Sequence, residues 1–187
     1  MSDTLYEIRD AVAVITLNRP EKLNSVTFSQ LSDLVAKLND FEQDDAVRAI
    51  LLTGTGRGFC TGADLGGGGR ADMNTPVGMK LSAHLYGRVC FTIANTEKPV
   101  VAAVNGLAAG SGCNLALSCD IIFAAKSARF IEIFVRRGMI PDGGGTYFLP
   151  RLPGALGMYL GLTGARVTGA DAVHAGFTMH FVPREKL

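Results

Sequence analysis

The sequence carries little excess charge of either sign. Its 187 residues have a formal net charge of +1, which excludes the basic footprint of a nucleic-acid-binding surface. Long apolar runs are missing: the hydrophobic stretches are too short to span a bilayer and are interrupted by charge. Cys60, Cys90, Cys113 and Cys119 form no Cys-x-x-Cys pair, and no His/Cys/Asp spacing points to a metal. These thiols read as small buried groups in a reducing compartment. Met1-Ser2-Asp3-Thr4 lacks the basic-then-apolar pattern of a secretory signal. The expectation is therefore a cytoplasmic protein with no membrane span and no nucleic-acid partner. No segment has the charge bias of a disordered tail, and no fixed-period repeat stands out. Nucleotide-binding patterns are missing too. The Gly54-to-Gly58 turn has no GxxxxGK[ST] arrangement, and Gly110-Ser111-Gly112 does not complete GxGxxG because position 115 is Leu.

What is present is enough apolar residue for a core, at 48% of the chain, in a length that suits one domain over 1–187. The 23 glycines exceed ordinary usage and sit in discrete turns. Residues 5–9 and 11–17 read as a hairpin at a sheet edge. Thr27 and Gln30 form a capping box, and Phe28, Leu31, Leu34, Val35, Leu38 and Phe41 follow on one helical stripe. Residues 47–53 read as a strand covered on both faces. A glycine-rich turn ends in Gly62-Ala63-Asp64, and residues 66–69 read as a mobile loop. Residues 76–95 read as a long helix, 99–104 and 120–125 as buried strands, 128–131 as a short strand and 134–137 as a helical turn. Gly106-Leu107-Ala108-Ala109-Gly110-Ser111-Gly112-Cys113-Asn114 reads as a tight turn passing straight into an apolar helix. A helical tail begins near Gly145, with short helices over 147–152 and 156–162, another from Gly169, and a last strand over 179–182. Alternating strands and helices make the class α/β.

Two strand-to-turn elements, at Gly62-Ala63-Asp64 and Gly110-Ser111-Gly112, can each present an unpaired backbone N–H among small side chains. Two such donors on one oxygen would stabilise negative charge on a carbonyl. The second stretch alone also fits a simpler reading, glycines that let helix and strand approach each other.

Three segments resemble the signatures of the enoyl-CoA hydratase/isomerase (crotonase) family: Phe59-Cys60-Thr61-Gly62-Ala63-Asp64-Leu65, the run from Ala103 to Cys113, and Ile140-Pro141-Asp142-Gly143-Gly144-Gly145-Thr146. Ile15-Thr16-Leu17-Asn18-Arg19-Pro20 and Lys22-Leu23-Asn24-Ser25 fit as well, so the resemblance runs along nearly the whole chain. It implies a crotonase-like spiral of ββα units with a shortened C-terminal helical region, an acyl-CoA thioester substrate, and a homotrimer or hexamer. It implies no cofactor beyond the CoA that the substrate brings. Ala63 and Ser111 would donate the oxyanion N–H groups; Ser stands where most relatives have Gly, and it disfavours positive φ. Lys22, Leu23, Ala63, Asp64, Leu65 and Gly66 would line the CoA path.

The resemblance also implies where the acid/base residues should be. Hydratases of this family use two glutamates; their places here hold Asn114 and Phe134. Asp142 remains, at the position where isomerase members carry a proton-shuttling carboxylate and a dehalogenase branch carries a nucleophile. Its simpler reading is a helix cap near Gly143. Tyr147-Phe148-Leu149-Pro150-Arg151-Leu152, Leu162-Thr163-Gly164 and His180-Phe181-Val182-Pro183 also resemble the hydroxyacyl-CoA hydrolase branch, which has a glutamate where Phe134 stands. Glu132, His84, His174 and His180 read as surface or structural residues, and Arg136 with Arg137 as a solvated or oligomer-facing pair. Isomerase-like chemistry with Asp142 as base is the leading expectation. Hydratase or hydrolase activity and a catalytically depleted CoA-ester-binding protein are the alternatives.

Overall fold

Asp10 and Ala11 both adopt positive φ, the conformation of a tight hairpin turn. They join β1 (Thr4–Arg9) to β2 (Val12–Leu17) in antiparallel register. This is a computed structural model that describes residues 2–65 and 75–187. The Thr27 side chain accepts from Gln30 N–H, and the Gln30 side chain accepts from Thr27 N–H; this box opens α1 (Phe28–Gln43), which buries Leu31, Leu34, Leu38 and Phe41.

A unit then recurs along the chain. One strand runs in a large sheet, the chain turns a corner, a three-residue strand runs in a small sheet, and a helix or helical turn follows. Its members are β3 (Ala49–Gly54), β4 (Gly58–Cys60) and α2 (Pro76–Asn95), then β5 (Val100–Val104), β6 (Leu107–Ala109) and α3 (Ser111–Leu117). The third pass uses β7 (Ile121–Ala125), β8 (Arg129–Ile131) and a 3-10 turn over Ile133–Arg137. After it come α4 (Gly145–Phe148), α5 (Leu156–Thr163), β9 (Arg166–Thr168), α6 (Gly169–His174) and β10 (His180–Val182). The large sheet has the order β1-β2-β3-β5-β7-β10 and the small one β4-β6-β8-β9. The expected α/β spiral of ββα units is therefore present.

Several local readings change. The chain does not pass directly from the turn at Gly106 into a helix: β6 lies between them and pairs with β4 and β8. The tail is not purely helical, because β9 closes the small sheet beside β8 and β10 joins the large sheet beside β7. β3 buries one face through Ile50 and Leu52, while Leu51 and Thr53 on the other face are only half-buried. The expected mobile loop over 66–69 lies outside the described residues. The four cysteines are free and buried, as expected. Among the described residues no helix is long and apolar enough to cross a membrane.

Two buried amides hold the corners between the sheets. Asn24 Nδ2 donates to the carbonyls of Thr55 (2.9 Å) and Gly58 (2.8 Å), and Asn105 Nδ2 donates to those of Gly56 and Gly58 (3.0 Å each). Asn24 itself sits at φ +57° and accepts from Arg19 N–H. Asn tolerates that left-handed conformation better than other non-glycine residues. Replacing Asn24 by Ala removes these bonds and leaves a Cβ-bearing residue without local polar compensation. The expected cost is about 2–4 kcal/mol, read as a lower urea midpoint with an unchanged slope.

Candidate active site

A cavity of about 510 Å³ opens where the ends of the two ββ corners meet. Gly62, Ala63 and Leu65 after β4, Gly110 and Ser111 at the start of α3, and Asp142 all line it. The two turns abut through their backbones. A Cβ added at Gly62, which has φ +86°, would lie 3.4 Å from Ser111 N, and one at Gly112 would collide with the carbonyl of Cys60. Only glycine lets α3 begin this close to β4.

Both N–H groups that the sequence singles out are left without an acceptor among the described residues. Val26 bridges to this strand end through Gly62 O (2.9 Å) and Asp64 N (3.0 Å), which skips the N–H of Ala63. Ser111 is the first residue of α3, so its N–H has no intrahelical partner. The concern about serine at this place is removed, because the positive φ falls on Gly110 (+53°) and Ser111 is helical.

Asp142 follows Pro141 on the facing loop. Its Oδ1 is buried without a hydrogen-bond partner, and burial raises its carboxyl above the usual range, opposed in part by its own backbone N–H. The simple helix-cap reading of this side chain is corrected. Gly145 N–H donates to the backbone carbonyl of Asp142 (2.8 Å), and α4 has no side-chain cap. Asn114 Nδ2 donates to the same carbonyl at 2.6 Å. Asn114, where the resemblance puts the first glutamate, is fully buried and is not among the residues lining the cavity; it holds the Asp142 backbone. Phe134, in the second glutamate place, is a buried part of the cavity wall.

The CoA-path residues divide. Ala63 and Leu65 line the cavity. Lys22 is exposed at the end of a 3-10 turn, and Thr61 Oγ1 donates to the carbonyls of Lys22 and Leu23, which fixes that turn beside the cavity. Asp64 pairs with Arg19 at 2.7 Å. Gly66 lies outside the described residues. His84 is exposed, and His180 stacks on Phe123.

One reading fails. Glu132 is not a surface residue: it is 1% exposed, and neither carboxylate oxygen has a hydrogen-bond partner. Burial pushes the Glu132 carboxyl up to about 7, the neighbouring Asp142 adds to this, and the Cys113 thiol opposes it. The strand β8 directs its end inward, and that tertiary effect is invisible in a local charge pattern. Arg137 is exposed, as expected, and it also lines the cavity, as do Met79 and Ala83 of α2, which the motifs did not reveal.

A carboxyl raised in the folded state takes up its proton more readily there than in the unfolded chain. Stability on its account is complete below the unfolded value near 4.5 and is lost as pH rises through about 7. Glu132→Gln removes this dependence. Its stability relative to the parent should improve by about 3 kcal/mol between pH 4 and pH 8, measured by urea unfolding at both pH values.

Comparison with known proteins agrees with this geometry. The family model described as enoyl-CoA hydratase/isomerase matches residues 7–187. The chain is 41% identical over 191 residues to the 1,2-epoxyphenylacetyl-CoA isomerase of Escherichia coli (strain K12), covering 100% of this chain and 72% of that one. It is 35% identical over 189 residues to the 3-hydroxyisobutyryl-CoA hydrolase 1 of Arabidopsis thaliana, where it covers all of this chain but only 50% of the relative. The crystal structure of enoyl-CoA hydratase from Bacillus anthracis superposes with a TM-score of 0.92 at 32% identity, over 98% of this chain and 71% of that one. With the fold, the order of the signature segments and this sequence match in agreement, the chain belongs to the enoyl-CoA hydratase/isomerase family.

Proposed function

We propose that the protein binds an acyl-CoA thioester and moves a double bond along its acyl chain, with Asp142 as the base. One observation carries this reading. The Asp142 carboxyl, half-buried with an unpartnered oxygen, shares a cavity with the two unpaired N–H groups; that Asn114 and Phe134 stand where the resemblance puts glutamates supports the same reading.

The thioester oxygen sits between the N–H groups of Ala63 and Ser111. Asp142 takes a proton from the α-carbon of a 3-enoyl thioester. The C–H electron pair enters the carbonyl system, and the resulting dienolate carries its charge mainly on the held oxygen. Losing one such donor costs about 2.7–4 kcal/mol of barrier in a measured case. Asp142 then returns the proton to the γ-carbon, leaving the double bond between the α- and β-carbons. Atoms and electrons balance with one base, and no cofactor is needed beyond the CoA carried by the substrate. Burial suits Asp142 to this task, because a raised carboxyl is a stronger base and the apolar Phe134 wall keeps water from trapping the dienolate. Lys22, Leu23, Ala63 and Leu65 flank the CoA, and Asp64 acts through Arg19, which it holds beside that loop. Assembly as a trimer or pair of trimers belongs to the same reading, supported by the exposed apolar side chains of Met158 and Leu162 on α5.

Thioester hydrolysis is a second reading. The Tyr147-to-Leu152 segment and the similarity to a 3-hydroxyisobutyryl-CoA hydrolase favour it. A panel of 3-enoyl-, 2-enoyl- and hydroxyacyl-CoA distinguishes the two, since only hydrolysis releases a free thiol.

Asp142→Asn should lower kcat for 3-enoyl isomerisation by at least about a hundredfold while leaving thioester binding within a few-fold. In the parent enzyme kcat/KM should rise with pH through an ionisation above the ordinary carboxylate range. Unchanged turnover in the variant rules out Asp142 as the base.

A further inference from the structure

The walls of the cavity are apolar on most sides, through Met79, Ala83, Phe134, Met139 and Ile140. Only two charged side chains line it among the described residues, Asp142 and Arg137. Asp142 has a role in the reading above, and Arg137 has none.

The placement of Arg137 follows from the local backbone. Arg136 and Arg137 are the last residues of the 3-10 turn Ile133–Arg137. Successive side chains on such a turn point about 120° apart, so the two arginines cannot share a face. Arg136 lies against α5: a Cβ added at Gly164 would meet its Nε at 3.1 Å. Arg137 takes the cavity side. It makes no ion pair or hydrogen bond among the described residues.

We propose that Arg137 recognises a carboxylate at the distal end of the acyl chain, so that the cavity favours CoA thioesters of dicarboxylic acids. The inference rests on the thioester reading of this cavity but not on which reaction follows. An anion entering apolar walls that also hold Asp142 is strongly disfavoured unless a cation meets it. A guanidinium offers a planar pair of donors that match a carboxylate. A methyl-ended chain gains nothing from it. The exposed side of Arg137 keeps the guanidinium hydrated until the ligand arrives, so the empty site carries no buried unpaired charge.

The CoA phosphates offer the same anionic chemistry, and the test separates the two sources. Calorimetric titration uses saturated thioesters, which have no double bond to move, with free thiol followed in parallel so that any hydrolysis is separated from binding. Glutaryl-CoA and adipyl-CoA are compared with their carboxylate-free isosteres, 5-methylhexanoyl-CoA and 6-methylheptanoyl-CoA, and with free CoA. The parent protein should bind at least one dicarboxylic thioester more tightly than its isostere. Arg137→Gln should weaken that thioester by about tenfold to a hundredfold and leave the isosteres and free CoA within about twofold. Arg137→Lys should recover part of the loss. An equal loss for all ligands, free CoA included, assigns the guanidinium to the phosphates and overturns the proposal. So does a variant that binds every ligand like the parent. Failure of the thioester reading itself looks different: the parent protein then binds neither the dicarboxylic thioesters nor the isosteres, which overturns both.

Discussion

The fold and the site both depend on one backbone contact, that between the end of β4 and the start of α3. Gly112 lies against the carbonyl of Cys60, and Gly62 lies against Ser111 N. At this distance no side chain fits between the two turns, so their N–H groups face a shared space instead of each other's sheets. The contact is maintained from outside. Asn24 and Asn105 both donate to the Gly58 carbonyl, and Gly110 N–H donates to Ile131 O at 2.8 Å, tying the same turn to the small sheet. A buried N–H without an acceptor costs about 1–3 kcal/mol. The open cavity lowers that cost for Ala63 and Ser111, and a bound oxygen would remove it.

How legible these features are in the sequence depends on their length and on whether their cause is local. The capping box of Thr27 and Gln30 and the stripe after it define α1 without tertiary help, and residues 76–95 carry enough helical pattern to give α2 its observed bounds. The small sheet is different. β4, β6, β8 and β9 have three residues each, too few for alternation to appear, and β4 is buried at every position. Such strands exist because neighbouring corners align them, and a corner is a tertiary object. The site divides in the same way. Ala63, Ser111 and Asp142 sit in glycine-rich turns whose residue types announce backbone exposure or a lone carboxylate. Arg137 and Glu132 lie in an ordinary-looking segment, Ile131-Glu132-Ile133-Phe134-Val135-Arg136-Arg137, where neighbouring charges suggest a solvated surface. The only local hint for Glu132 is that isoleucines flank it on both sides.

Asn114 and Phe134, at the two places where the resemblance puts glutamates, belong together physically with Glu132 and Asp142. Asp142 disfavours ionisation of the Glu132 carboxyl, and neither Glu132 oxygen has a partner. A glutamate at position 114 would bring a third carboxyl into the same poorly solvated region. It would also present acceptors to the Asp142 carbonyl, where Asn114 now donates at 2.6 Å, and so release the segment that carries Asp142. At position 134 a carboxylate would replace the buried aromatic that walls the cavity, adding another charge where the dielectric is low. With Asn114 and Phe134 in place, burial holds the Glu132 carboxyl well above the usual range, and Asp142 is the one carboxylate lining the cavity among the described residues. Asn114 and Phe134 thus add no charge to this poorly solvated region, and on the proposed isomerisation, which recycles one proton, a single carboxylate lining the cavity is enough.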